Sequence, residues 1–461
     1  MVFASQVFLY WFLPLVLIGT LLLPRWLRNP FLTAASFLFY GWWRPDYALL
    51  MLATASFDFG AALLIDHARR RGGSGRGWLV LSVIANLGLL AWFKYANFAV
   101  GIFNDVLLWQ GAPPVPWVEV LLPVGISFYT FQSMSYTIDV YRGDLKATRH
   151  FGDFLCFVSL FPQLVAGPIV RYADVADQMA VHRMTVPSFA QGVLWFIFGL
   201  AKKVLLADLL APVVSGLFDA GTPASAGLAW TGLAAYTLQI YCDFSGYSDM
   251  AIGLGLMLGL RFPFNFESPY KAASITEFWR RWHITLSTWL RDYLYIPLGG
   301  RRKGPLRTQV NLLLTMLLGG LWHGANWTFI AWGAWHGLLL SIERVAMFRR
   351  FQQWLPRALQ VGLTLLCVML GWVLFRAHSM SDALDWFAAL AGNGGDSLLV
   401  VAPMQYAILA LAGVLALFAP STREIVANAS PRTVVCAAIL LPLTMLHLHW
   451  QDHVPFLYYQ F

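Results

Sequence analysis

The chain has 461 residues, of which 59% are hydrophobic and only 12% are charged. This balance excludes a soluble globular protein and predicts an all-α polytopic membrane protein. The net charge of +8 comes from basic residues in short loops between apolar runs. Such a distribution is typical of membrane-protein loops, so we expect no nucleic-acid partner. The four cysteines lie far apart, and neither a zinc site nor a disulfide framework is predicted.

Apolar runs recur along the whole chain at about the 20-residue length that a bilayer requires. They predict roughly ten to twelve transmembrane or re-entrant helices. No low-complexity tract or repeat separates them, so we expect a single integral-membrane domain over residues 1–461. The clearest runs are residues 6–23, 47–65, 78–93, 118–138, 361–375, 404–419 and 434–447.

Charged residues interrupt several of the remaining runs. Lys203 and Asp208 fall within the run 190–214, where charges should snorkel, pair or face a watery cavity. The run 228–260 is too long for one straight span, and its polar centre predicts two helical pieces joined by a break. Asp243 and Asp249 in this centre could orient a histidine or cap a half-helix.

The most basic part of the chain begins near Thr276. A helix from Thr276 to Leu290 would lie at the cytoplasmic interface, with Trp279, His283 and Ser287 on one side. The arginines here form a cationic rim suited to a phosphate-bearing donor, because arginine pairs bidentately with phosphates. They are Arg280, Arg281, Arg291, Arg301 and Arg302.

His323 is the first candidate for chemistry. It follows the uncharged run 311–322, and Gly319, Gly320 and Gly324 should loosen the helix around it. An ionisable residue at a break at membrane depth indicates function, although it could instead only hydrogen-bond a neighbouring helix.

His336 would lie about 220° around the axis from His323 in an unbroken helix, so the two pair only if the helix breaks. A packed or interfacial histidine is the simpler interpretation of His336.

The absence of common catalytic motifs restricts the types of reaction that the sequence predicts. No serine-hydrolase elbow or zinc-protease motif is present. A neutral histidine acting as a base on an incoming hydroxyl is then the simplest reaction. Histidines 447, 449 and 453 lack a fourth ligand of evident kind, so we predict no metal site and no permanently bound cofactor.

The sequence around these histidines resembles the membrane-bound O-acyltransferase family. FWRRWHITLSTWLRDYLYIPLGG (residues 278–300) and GGLWHGANWTFIAWGAWHG (residues 319–337) carry the resemblance. It extends over nearly the whole chain and is closest to the bacterial alginate-type branch. Further similar stretches are residues 123–144, 161–171, 241–259, 371–377 and 455–461.

The resemblance implies a helical fold around a tunnel that crosses the membrane. It implies an essential histidine at His323 and a second important polar position at His283. Asp243, Asn326 and His336 are candidates for supporting residues. The donor side would face the cytosol and the acceptor side the periplasm, with the protein in the bacterial inner membrane. Implied partners are periplasmic acetyltransferase or esterase-like proteins and a polysaccharide synthase complex.

We therefore expect an O-acetyltransferase that takes acetyl groups from a cytosolic thioester, acetyl-CoA, for O-acetylation of an exopolysaccharide such as alginate. Transfer could be direct or through a partner, and His323 could be a base or carry the acetyl group itself. One alternative is a transporter for an acetylated carrier, lined by Lys203, Asp243 and His323. Another is a docking platform in which the region 382–401 matters more than His323.

Overall fold

The computed structural model describes residues 1–42, 44–219, 225–394 and 401–451. The chain forms two compact units, residues 1–192 with 254–263, and residues 193–253 with 264–461. In the described ranges every regular element is a helix, which confirms the predicted all-α fold. The single domain over residues 1–461 stays a prediction. His453, the similar stretch 455–461 and part of the region 382–401 lie outside the described residues.

The first unit begins with a π-helical turn (Phe8–Phe12) that leads into the first helix. Its helices are α1 (Leu13–Leu22), α2 (Arg25–Gly41), α3 (Pro45–Arg70), α4 (Arg76–Trp109), α5 (Ile126–Arg142), α6 (Phe151–Ser159), α7 (Phe161–Leu164) and α8 (Tyr172–Val181). Its interior also holds a carboxyl group, since Asp58 accepts hydrogen bonds from Ser82 and Asn86, both at 2.8 Å.

Two helices continue from the residues of one unit into those of the other, namely α9 (Val186–Lys202) and α11 (Ala226–Met257). Between them, a π-helical turn (Lys203–Ala207) leads into α10 (Asp208–Phe218).

After α11 the second unit continues with a 3₁₀ turn (Pro269–Lys271), two short helices and a π-helical turn (Arg291–Tyr295). Its helices are α12 (Ile275–Arg281), α13 (Ile284–Leu290), α14 (Pro305–His323), α15 (Trp327–Ile342), α16 (Ala346–Trp354), α17 (Arg357–Arg376), α18 (Met380–Ala388), α19 (Pro403–Phe418), α20 (Thr422–Ala427) and α21 (Pro431–Trp450). A further π-helical turn (Ala389–Asn393) follows α18.

Within the described ranges, α3, α4, α17 and α21 are long and apolar enough to cross a membrane. The segments Phe8–Leu22 and α19 are apolar but shorter. The protein is a multi-pass membrane protein.

The predicted break in the run 228–260 is wrong, because α11 is continuous through its polar centre. The polar residues do not need a break since they are paired inside the unit. Lys203 contacts Asp208 and also Asp243, the latter at 2.8 Å, and Lys202 contacts Asp249 at 2.5 Å. The expectation that the charges of this region pair is thus confirmed.

The predicted helix from Thr276 to Leu290 is also wrong in one respect, because it breaks at His283. This residue has φ 43° and ψ 53°, the left-handed conformation that cannot continue an α-helix. The chain therefore forms α12 and α13 with His283 at the corner.

Helices α14 and α15 form a hairpin, and the turn between them lies directly after His323. Gly319 and Gly320 do not loosen α14, which stays helical to its end. Gly320 instead lets α15 approach, since a Cβ there would overlap the carbonyl oxygen of Phe329. The hairpin turns at Gly324, and Asn326 starts α15 by accepting a hydrogen bond from the Thr328 N–H at 3.1 Å.

Candidate active site

His283 is held at its corner by Asn265. The side-chain oxygen of Asn265 accepts hydrogen bonds from the Thr285 N–H at 3.2 Å and from the Thr285 hydroxyl at 2.9 Å. The same oxygen lies 3.1 Å from Nδ1 of His283, and the Asn265 carbonyl accepts from the Ile284 N–H. These contacts stabilise the left-handed backbone that turns the His283 ring inward, where it is fully buried.

The same contacts settle the tautomer of His283. A backbone N–H can only donate, so the Asn265 atom that faces Thr285 is the oxygen and not the amide nitrogen. Nδ1 of His283 therefore donates to Asn265, and in the neutral ring Nε2 is an acceptor. Among the described residues this buried Nε2 has no hydrogen-bond partner. His283 thus presents a free lone pair.

His323 lies at the C-terminal end of α14 inside a cage of aromatic rings. Its ring centroid is 5.0 Å from Trp322, 5.1 Å from Trp332 and 5.2 Å from Phe375. The ring of His283 is 6.4 Å away. The structure therefore brings together the two histidines that the sequence singled out, although they lie on different helices.

A cavity of about 430 Å³ reaches His323 from the surface of the second unit. Its buried wall includes His323, Trp332 and Met316. Its exposed edge carries Arg280, Arg291 and Arg344, and the walls between are largely apolar. The other lining residues are Thr276, Trp279, Ile284, Leu286, Ser287, Thr288, Leu290, Tyr295, Leu312, Thr315, Gly319 and Leu340.

The predicted arginine rim divides into two groups. Arg280 and Arg291 line the cavity, and Arg291 is also bound to Asp292 at 2.7 Å. Arg281, Arg301 and Arg302 are not among the described residues that line it.

Arg281 is bound instead to Glu277 at 2.8 Å. Burial raises the pKa of Glu277, but the Ala273 N–H and the Arg281 guanidinium outweigh this and hold the pKa below its usual value. The carboxylate therefore stays ionised and neutralises Arg281.

The three residues predicted to support the catalytic histidines lie in different surroundings. Asp243 lies in the interior of α11 and binds Lys203, so the suggestion that it caps a half-helix is wrong. Asn326 caps α15 and donates to the His378 carbonyl at 2.7 Å. His336 is fully buried, with its ring centroid 5.0 Å from that of Trp332. Because the helix breaks at Gly324, Trp332 lies in ring contact with both His323 and His336.

Several residues of the site were not identified from the sequence. Asn265 lies in a loop far from His283 in the chain, and no motif indicates their contact. Glu343 at the end of α15 accepts hydrogen bonds from the Thr276 N–H at 2.9 Å and hydroxyl at 2.7 Å, which fixes the start of α12. Arg344 follows it and lies on the cavity edge.

Residues 144–379 match the membrane-bound O-acyltransferase family, MBOAT. The chain is 45% identical to a probable alginate O-acetylase of Azotobacter vinelandii, over the full length of both proteins. It is 50% identical to a probable alginate O-acetylase of Pseudomonas aeruginosa, over 86% of this chain and 75% of the relative. It is also 38% identical to a peptidoglycan O-acetyltransferase of Helicobacter pylori, over 86% of this chain and 81% of that protein.

Proposed function

Because the chain belongs to the membrane-bound O-acyltransferase family and is an O-acyltransferase, we propose that it acetylates an exopolysaccharide such as alginate. The acetyl group comes from a cytosolic thioester, acetyl-CoA, and crosses the inner membrane to the periplasmic side. The observation that carries this proposal is the cavity that leads from exposed arginines to the buried His323.

The cavity suits the donor in charge and in size. Acetyl-CoA has anionic phosphates at one end and a neutral arm ending in the thioester at the other. The edge with Arg280, Arg291 and Arg344 favours the phosphates, and the apolar walls favour the arm. A volume of about 430 Å³ lies within the range of small-molecule pockets. It holds the arm and leaves the phosphates at the edge.

His323 acts as the general base in this reaction. It takes the proton of the acceptor hydroxyl while the oxygen attacks the thioester carbonyl carbon. The tetrahedral intermediate then collapses, the carbon–sulfur bond breaks, and His323 returns the proton to the leaving sulfur. An ester and a free thiol result, and His323 is unchanged. The free Nε2 lone pair of His283 accepts a hydrogen bond that orients the hydroxyl or the His323 ring.

The acceptor is a carbohydrate hydroxyl, reached directly or through a partner. Two of the relatives are named for alginate and one for peptidoglycan, and both polymers offer sugar hydroxyls. We propose that periplasmic acetyltransferase or esterase-like proteins and a polysaccharide synthase complex act with the chain.

The proposal is tested with the purified full-length chain in sealed vesicles. Acetyl-CoA with a labelled acetyl group is supplied on one side, and alginate oligosaccharide with periplasmic extract on the other. We expect free CoA to be released on the side where acetyl-CoA is supplied and labelled ester to form on the opposite side. Both products should be lost in His323→Gln.

Equal CoA release from wild type and His323→Gln would contradict the proposal. Label that crosses on an intact carrier, without any CoA release, would indicate a transporter instead.

A further inference from the structure

The proposed reaction needs a donor for the thioester oxygen as well as a base. As the acceptor attacks, the carbonyl oxygen becomes an oxyanion, and preorganised N–H or O–H groups stabilise it in a water-poor site. A neutral His283 does not serve, because its only N–H is already bound to Asn265. The donor must therefore be another group near His323.

Trp332 meets the requirements. It is 1% exposed, lines the cavity, and has its ring centroid 5.1 Å from that of His323. Its indole N–H is buried and has no hydrogen-bond partner among the described residues. Buried tryptophan N–H groups usually have a hydrogen-bond partner. An unpaired N–H beside a substrate cavity therefore indicates that the substrate supplies the acceptor.

Two side chains in contact with Trp332 also have buried polar atoms without a hydrogen-bond partner among the described residues. The indole N–H of Trp279 is also buried and unpartnered within the described residues, and its ring packs 5.6 Å from Trp332. Both nitrogens of His336 are unpartnered there too, and its ring contacts Trp332 and Trp279. Of these three rings, that of Trp332 has its centroid 5.1 Å from the centroid of the His323 ring.

We infer that the indole N–H of Trp332 binds the thioester carbonyl oxygen and stabilises the oxyanion during acetyl transfer. This inference rests on the proposed function. The carbonyl lies between Trp332 and His323, so that the hydroxyl deprotonated by His323 attacks a carbon whose oxygen is already bound. The N–H donates throughout and is not itself deprotonated, and every proton transfer stays with His323.

The test removes the N–H and keeps the shape of the ring. Trp332 is replaced by 3-benzothienylalanine, in which sulfur stands where the indole has N–H, in the otherwise unchanged full-length chain. The matched control is the same replacement at Trp335, one turn along α15, whose N–H donates to the Cys367 carbonyl at 2.9 Å. Steady-state kinetics with acetyl-CoA and thermal unfolding are measured for both.

We expect kcat of the Trp332 replacement to fall by about 10²-fold or more, with KM for acetyl-CoA changed by less than about three-fold. The Trp335 replacement should lower the unfolding temperature and leave kcat within about three-fold of wild type.

A Trp332 replacement with kcat within about three-fold of wild type overturns the inference. If His323-dependent turnover persists in that protein, the proposed function stands and only the inference about Trp332 fails. If wild type itself shows no His323-dependent turnover, the proposed function fails first.

Discussion

The ring centroids of His283 and His323 lie 6.4 Å apart, although one residue ends α14 and the other sits at the corner between α12 and α13. Two separate helix breaks shape the site around them. The left-handed backbone at His283 turns its ring inward, and the turn after His323 brings α15 back over it. The pair is therefore a product of local backbone geometry as much as of residue type.

Asn265 should matter to activity although it does not contact the reacting atoms. Asn265→Ala removes the acceptor for Nδ1 of His283 and for the Thr285 N–H. The freed ring can then change tautomer or turn. We expect kcat to fall by about 10- to 100-fold, since small misplacements of a catalytic group have effects of this size. Acetyl-CoA turnover at saturating substrate is the measurement.

Ser248→Ala provides the control for Asn265. It removes only the partner of the Asn265 amide nitrogen, 3.1 Å away, and leaves the contact with His283 intact. We expect at most a few-fold loss of kcat. A loss of kcat in Asn265→Ala no larger than that in Ser248→Ala would contradict a role for the contact between Asn265 and His283.

The sequence predicted the class of the fold and singled out two histidines as candidates, but it did not predict the geometry that brings them together. Uniform apolar runs indicate helices, and a histidine at membrane depth is costly enough to indicate function. The break at His283 carried no such signal, because it depends on Asn265 from a distant loop. Likewise, the predicted break near Asp243 was wrong because its partner Lys203 lies on another element. Local patterns do not contain such long-range pairings.

The arginines of the cavity edge should control donor binding. Arg280→Gln and Arg344→Gln each remove one positive charge beside the cavity. We expect KM for acetyl-CoA to rise by about five-fold for each, with kcat nearly unchanged and a smaller effect at high salt.

Arg302→Gln is the matched control for these variants. It lies in the same basic region but is not among the described residues that line the cavity. Its KM should stay near the wild-type value, and a rise as large as that of Arg344→Gln would move the donor site toward the 301–303 turn.

Lys203 should be required for stability. Its side chain is 3% exposed, and its ammonium group contacts the carboxylates of Asp208 and Asp243. Lys203→Met would leave two buried carboxylates without their cation, at a cost of about 3–5 kcal/mol. The unfolding temperature of the purified protein in detergent should fall strongly.

Lys202→Met provides the comparison, because Lys202 is 22% exposed and binds the single carboxylate of Asp249. Its unfolding temperature should fall less than that of Lys203→Met. The opposite order would contradict the role assigned to the buried cluster.

The hairpin of α14 and α15 should tolerate alanine at Gly319 but not at Gly320. A Cβ at Gly319 meets only the tip of the Leu290 side chain at 3.2 Å, whereas at Gly320 it overlaps the Phe329 backbone. Helix propensity alone would favour alanine at both positions by about 1 kcal/mol. We expect Gly320→Ala to unfold at a clearly lower temperature than wild type, with Gly319→Ala close to it. Equal unfolding temperatures would indicate looser helix packing.

The role of His323 is the central claim, and the acetyl ester content of the polysaccharide made by cells that carry His323→Ala tests it most directly. The amount of protein in the membrane is measured in the same cells. Since His323 is the base in the proposed reaction, we predict that acetylation is abolished while the protein is present at the wild-type level. Acetylation retained at that protein level would contradict the account.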